Sequence, residues 1–260
     1  MQYNSSKSTA LNYKIINSAN TRGTVVFLHE ALGSIGQWKG FPERVCQKFD
    51  VRGVVYERRG HGGSPPFHSK RTPRYMHEYA YEELPEFLDS LGIYEPVTLF
   101  GHSDGGSIAL LFASKFPDRV KTVITEAAHV IVEPETVQGI IPVKRRFESD
   151  PDFQKKLADY HGDKTRDLFY AWCDTWLSDE FRNWDITEDI QNIQAPVSAF
   201  QGSRDQFGTP KQLELIKASV SAPVQIHELD KLKHVPHLED GEAVMELVRR
   251  YVPGNFSRRR

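Results

Sequence analysis

Gly101-His102-Ser103-Asp104-Gly105 stands between the apolar run Pro96-Val97-Thr98-Leu99-Phe100 and the helix-like stretch Gly106-Ser107-Ile108-Ala109-Leu110-Leu111-Phe112-Ala113. In order, these read as a strand, a tight elbow and a helix. Such an elbow holds its central residue in a strained backbone conformation, and small residues two before and two after it let neighbouring backbone approach without a side-chain clash. The Ser103 hydroxyl is therefore expected at the end of the strand, open to a substrate. A glycine-rich turn with an incidental serine is the plainer alternative, and the flanking strand and helix argue against it.

A lone serine hydroxyl is a weak nucleophile near neutral pH. It needs a histidine base within hydrogen-bond reach and a carboxylate that fixes the imidazole tautomer. Downstream, Ala195-Pro196-Val197-Ser198-Ala199-Phe200-Gln201-Gly202 reads as a buried strand running into Ser203-Arg204-Asp205, which puts Asp205 just past its end. Glu126, closing the strand-like Thr122-Val123-Ile124-Thr125-Glu126, is the second candidate acid. Val224-Gln225-Ile226-His227-Glu228-Leu229 reads as a further strand, followed by a loop with His234 and His237. His227 falls inside that strand, leaving His234 and His237 as candidate bases.

Upstream, strand-like runs at residues 11–16, 24–29 and 51–56 alternate with helix-like runs at 41–49 and 76–91, the latter interrupted by Pro85. This alternation implies a mostly parallel sheet covered by helices on both faces. Between Glu126 and about Asp185 strands disappear, and charged helix formers interleave with Phe147, Phe153, Tyr160, Phe169, Tyr170, Trp172, Trp176, Phe181 and Trp184. The segment reads as an inserted helical cap, residues 129–185, on a core of residues 1–128 and 186–260. Most of these aromatics are expected to hold the cap onto the core; as a set they imply an apolar pocket, with His129, Trp172 and Trp176 as candidate lining residues.

With 260 residues, 39% hydrophobic and 11% aromatic, the chain suits one α/β unit with an insertion. A formal net charge of −2 lacks the basic excess that phosphate neutralisation requires, which argues against a nucleic-acid partner. Cys46 and Cys173 show no disulfide or metal-knuckle spacing. The histidines are not grouped with acids or cysteines at metal-ligand spacing, so neither a metal nor another cofactor is expected. Arg58-Arg59-Gly60-His61-Gly62-Gly63-Ser64 lacks the lysine-serine ending of a phosphate-binding loop. Residues 1–8 are polar and no run reaches membrane-spanning length, so cytoplasmic residence is the expectation. The Arg258-Arg259-Arg260 tail reads as a solvated end.

Taken together, Val25-Val26-Phe27-Leu28-His29-Glu30-Ala31-Leu32-Gly33-Ser34, Tyr56-Glu57-Arg58-Arg59-Gly60-His61-Gly62-Gly63-Ser64, the elbow, Gly202-Ser203-Arg204-Asp205 and His234-Val235-Pro236-His237-Leu238-Glu239 resemble the α/β-hydrolase fold family, in its branch of small serine esterases. The resemblance spans nearly the whole chain. It implies an α/β-hydrolase fold, a cap inserted after the family's sixth strand, here the one ending at Glu126, and a catalytic set of Ser103, Asp205 and His234. It also implies an oxyanion hole formed by the backbone N–H groups of Asp104 and Ala31. Glu30 departs from the family's usual glycine, and its side chain is expected to point away from the site. Lys233 replaces a common glycine before His234. The Asp104 carboxylate is expected to face outward, and His29 and His102 to make structural hydrogen bonds.

The leading expectation is carboxylic ester cleavage through an acyl-enzyme on a small-molecule substrate. Alternatives are carbon–carbon bond hydrolysis, with Arg58, Arg59 or Arg145 holding a second carboxylate, and methyl-ester cleavage on an acyl carrier protein steered by Lys144-Arg145-Arg146 and Lys155-Lys156. A third alternative is a binder of small molecules that performs no chemistry.

Overall fold

A computed structural model describes residues 10–17, 19 and 22–252; the readings made of residues 1–8 and 258–260 fall outside them. Strands β1 (Tyr13–Ile16), β2 (Thr24–Leu28), β3 (Arg52–Tyr56), β4 (Val97–His102), β5 (Val120–Glu126), β6 (Val197–Gly202) and β7 (Val224–Leu229) form one sheet in the order β1-β3-β2-β4-β5-β6-β7. Only the β1–β3 pairing is antiparallel. The strand counted as sixth by resemblance is thus the fifth in chain order.

Because β2 and β4 are buried along their whole length, their alternate residues feed two separate cores. Val25, Phe27 and Phe100 pack with α1 (Phe41–Phe49). Val26, Leu28 and Leu99 pack on the other face with α2 (Tyr75–Glu78), α3 (Leu84–Ser90) and α4 (Asp104–Lys115). A sheet covered on both faces explains why these strands read as continuous apolar runs. The stretch around Pro85 is one winding, with a π-helical turn over Tyr79–Glu83 joining α2 to α3. That wider turn accommodates a residue with no N–H to give and a ring that would strike the carbonyl four residues back.

Between β5 and β6 the chain forms α5 (Pro134–Ser149), α6 (Pro151–His161) and α7 (Thr165–Trp176). The two ends of this excursion are tied together: Ile131 bridges Asp185, and Ile186 N donates to Val130 O at 2.9 Å. Phe147 and Phe169 stack at 3.7 Å inside it. His161, buried in α6, fastens it to the core, with Gly62 N donating to His161 Nδ1 and His161 Nε2 donating to Leu32 O, both at 2.9 Å. The chain closes with α8 (Lys211–Ser219), α9 (Pro236–Glu239) and α10 (Gly241–Val248), the last packing beside α1. Both cysteines are free and buried in helices, Cys46 in α1 and Cys173 in α7. Burial pushes each thiol up to about 12. Among the described residues, no helix is long and apolar enough to cross a membrane.

Candidate active site

β4 ends at His102 and α4 begins at Asp104, which leaves Ser103 alone at the elbow with φ 53° and ψ −120°. This left-handed region costs a residue with a Cβ on the order of 1–3 kcal/mol. The conformation is held by Ser103 N donating to Glu126 O and Gly106 N donating to Ser103 O, both at 2.8 Å. Close approach demands the flanking glycines. A Cβ on Gly101 would lie 2.2 Å from Gly105 O, and one on Gly105 would lie 2.0 Å from Leu28 O.

The loop after β7 brings His234 to this elbow, and the loop after β6 brings Asp205 to His234. Ser103 Oγ donates to His234 Nε2 at 3.1 Å. His234 Nδ1 faces both Asp205 oxygens at 2.9 Å. Asp205 is itself fixed by Phe207 N at 2.8 Å and Gln201 Nε2 at 3.1 Å. Burial opposes charge on both members of the pair, but their mutual attraction and hydrogen bonds prevail. The His234 imidazole is raised above its ordinary value, and the Asp205 carboxyl is held below its own.

A second histidine–carboxylate pair lies close by. Glu126 Oε1 accepts from His237 N and Oε2 from His237 Nδ1, each at 2.7 Å. His102 donates Nε2 to His234 O at 2.8 Å, tying the loop that carries His234 to the end of β4. Ligand-type atoms of His102, Glu126 and His237 lie within 4.8 Å of one another, a grouping that the sequence spacing did not reveal. Both Glu126 oxygens already accept hydrogen bonds from His237, so the chemistry is that of a buried hydrogen-bonded pair that anchors the loop, not of a vacant ligand set. His227 lies in β7, partly exposed.

The loop after β2 is held from behind. Arg58 is 1% exposed and donates Nη1 to His29 O at 2.6 Å and Nη2 to Glu30 O at 2.7 Å. His29 Nδ1 also donates to Glu30 O at 2.7 Å. In a trans peptide the carbonyl and the following N–H point opposite ways, so pinning the Glu30 carbonyl turns the Ala31 N–H away from Arg58. Among the described residues, neither the Ala31 nor the Asp104 N–H meets a protein acceptor, and both residues line the same cavity as Ser103.

That cavity, about 240 Å³, is walled by Ile140, Val143, Phe153, Leu157, Trp172, Trp176 and Phe207, and Ser103, His129 and His234 also line it. Of the aromatic residues read in the cap, Phe153, Trp172 and Trp176 face it. His129 donates Nε2 to Phe207 O at 2.9 Å.

Two side-chain expectations fail. The Asp104 carboxylate does not face solvent. It is 1% exposed and accepts from Tyr75 Oη at 2.7 Å, which in turn accepts from Trp176 Nε1 at 3.0 Å. The Arg71 guanidinium, 4.2 Å from the centre of the Tyr75 ring, supplies an opposite charge nearby, and no local signal marks Tyr75 or Arg71 as the partners of Asp104. Nor does Glu30 turn away from the site. Glu30, half-buried, is among the residues lining the Ser103 cavity, and its carboxyl lies near enough to His234 and Asp104 to feel their charges. Of the arginines considered for a second substrate carboxylate, Arg58 is committed to backbone carbonyls and Arg145 is exposed.

A model of the alpha/beta hydrolase family matches residues 25–247. The sn-1-specific diacylglycerol lipase ABHD11 of Mus musculus is 32% identical over 114 residues, 44% of this chain and 35% of that protein. The chain thus spans about a third of that relative. Proline iminopeptidase of Saccharolobus solfataricus is 20% identical across 94% of this chain and 89% of its own. Among solved structures, the enol-lactonase from Burkholderia xenovorans LB400 superposes with a TM-score of 0.72 at 18% identity, covering 92% of this chain and 95% of that one. The thermophilic esterase from Thermogutta terrifontis superposes at 0.69 with 20% identity, covering 93% and 92%.

Proposed function

The chain belongs to the alpha/beta hydrolase family, and on that premise we propose that it is a serine hydrolase cleaving a carboxylic ester of a small molecule. The observation that carries this reading is the run from Asp205 to His234 at 2.9 Å and on to Ser103 Oγ at 3.1 Å, opening into a cavity lined by Ala31 and Asp104, whose N–H groups meet no protein acceptor among the described residues. Ser103 Oγ attacks the ester carbonyl while His234 Nε2 takes its proton. Asp205 holds the tautomer and stabilises the imidazolium. The oxyanion is received by the Ala31 and Asp104 N–H groups, the latter aided by the positive end of α4. His234 returns the proton to the leaving alcohol, and water then repeats the cycle to free the acid.

Residues 129–185 act in this reading as the cap and residues 1–128 and 186–260 as the core, a division supported by the Ile131–Asp185 bridge. The apolar cavity walls suit an acyl chain. On the cap helices, Lys144 pairs with Asp174 at 2.7 Å and Arg146 with Asp150 at 3.1 Å, while Arg145, Lys155 and Lys156 are exposed. Hydrolysis of p-nitrophenyl butyrate by the wild type and by Ser103→Ala tests the proposal. Turnover that vanishes in the variant sustains it, and equal background rates in both would point to a binder.

A further inference from the structure

Glu30 is the acidic residue shared by two cavities. One is the apolar cavity that holds Ser103; the other, about 260 Å³, lies across the loop and includes Ser34, Lys39, His102 and Tyr160 in its wall. Glu30 and Gln37 are the residues these two cavities have in common. The hydrogen bonds that Glu30 accepts go to its backbone carbonyl, and among the described residues its carboxylate receives none. Burial pushes this carboxyl above the usual glutamate range and Asp104 adds to the push, against the pull of His234, His237 and Arg58.

The Glu30 carboxyl meets no protein donor among the described residues, and a negative charge at the Ser103 cavity opposes negative charge building on a bound carbonyl oxygen. A donor or cation supplied by the substrate engages this acceptor and offsets its charge. The apolar cavity accepts a hydrocarbon chain, so the donor belongs to the other half of the substrate, on the side of Glu30 and the second cavity. We propose that Glu30 is a specificity-determining residue that selects esters with an apolar acyl chain and an alcohol bearing either a hydroxyl donor or a cationic ammonium close to the ester oxygen. This inference rests on the ester-hydrolase reading.

The test compares kcat/KM for glyceryl monobutyrate, butyrylcholine, ethyl butyrate and the anionic O-butyrylglycolate in wild type, Glu30→Gln and Glu30→Ala. In the wild type the hydroxyl-bearing glyceryl ester and the cationic choline ester exceed ethyl butyrate by about tenfold or more, and the anionic ester falls below it. Glu30→Gln keeps an acceptor, so the glyceryl preference persists while the choline preference collapses; Glu30→Ala loses both. Calorimetric titration of butyrylcholine and ethyl butyrate into Ser103→Ala and Ser103→Ala/Glu30→Ala reads the same preference without turnover. Ratios that do not change on removing Glu30, in binding or in turnover, overturn the inference. Binding that discriminates through Glu30 without any ester turnover would instead overturn the hydrolytic reading and leave Glu30 as a recognition residue.

Discussion

His234 and His237 lie three residues apart, and each holds a buried carboxylate at hydrogen-bond distance, yet the two pairs do different work. His234 has Asp205 at one ring nitrogen and the Ser103 hydroxyl at the other, with a cavity beyond. His237 uses its main-chain N–H and Nδ1 to occupy both oxygens of Glu126, whose own carbonyl receives Ser103 N. In the proposed mechanism one pair delivers a proton acceptor to a nucleophile, while the other fastens the same loop to the strand beneath. A histidine–carboxylate pair therefore points to catalysis only when its far nitrogen meets a nucleophile beside open space.

The sharpest way to break this contrast is to disable each pair in turn. Asp205→Asn should lower kcat for p-nitrophenyl butyrate by about three to four orders of magnitude, as tautomer control is lost. Glu126→Gln should cost less than about tenfold per folded molecule, an allowance for a positioning effect alone. Losses of equal size would erase the distinction.

Stability should rank the pairs the other way. Glu126 ties the loop to the end of β5 through both oxygens, so Glu126→Gln, which turns one of them into a donor, should cost about 1–3 kcal/mol and lower the urea midpoint more than Asp205→Asn, in which one oxygen can still hold Phe207 N.

The pH dependence separates them further. Glu126 lies below its ordinary value of 4.5, so its contribution to stability is complete above that pH and is lost as pH falls through its lower folded value. His234 lies above 6.5, so its contribution is complete below 6.5 and fades as pH rises through its folded value. Catalysis needs the neutral imidazole. The acid limb of kcat/KM should therefore fall at a pH above 6.5, and in Asp205→Asn what activity survives should show that limb moved down. A wild-type profile flat from about pH 5 to 8 would contradict the base assignment.

The smallest expected effect lies in the cavity wall. Trp172→Ala should shift the preferred p-nitrophenyl ester toward longer acyl chains by a factor of about ten, the scale of a few methylenes in an apolar pocket.

Much of this was legible along the chain because it is local. The elbow at Ser103 needs small neighbours at fixed offsets, and the strands around it are apolar because both faces of the sheet are covered. Asp205, His234 and Glu126 were legible as residues at strand ends. Pro85 marked an irregular helix without revealing that a π turn absorbs it.

The sequence by itself determined which segments alternate, where the elbow falls and which side chains of the right chemistry stand near it, since backbone propensity and burial leave periodic marks. Only the tertiary structure decided that Asp205 faces His234 while Glu126 faces His237, that Tyr75 donates to Asp104, that Arg58 holds the loop at Ala31, and that Glu30 lines the cavity. Each of these joins groups distant in sequence, or depends on the direction of one side chain. Such outcomes follow from the packing of whole elements, which no local pattern encodes.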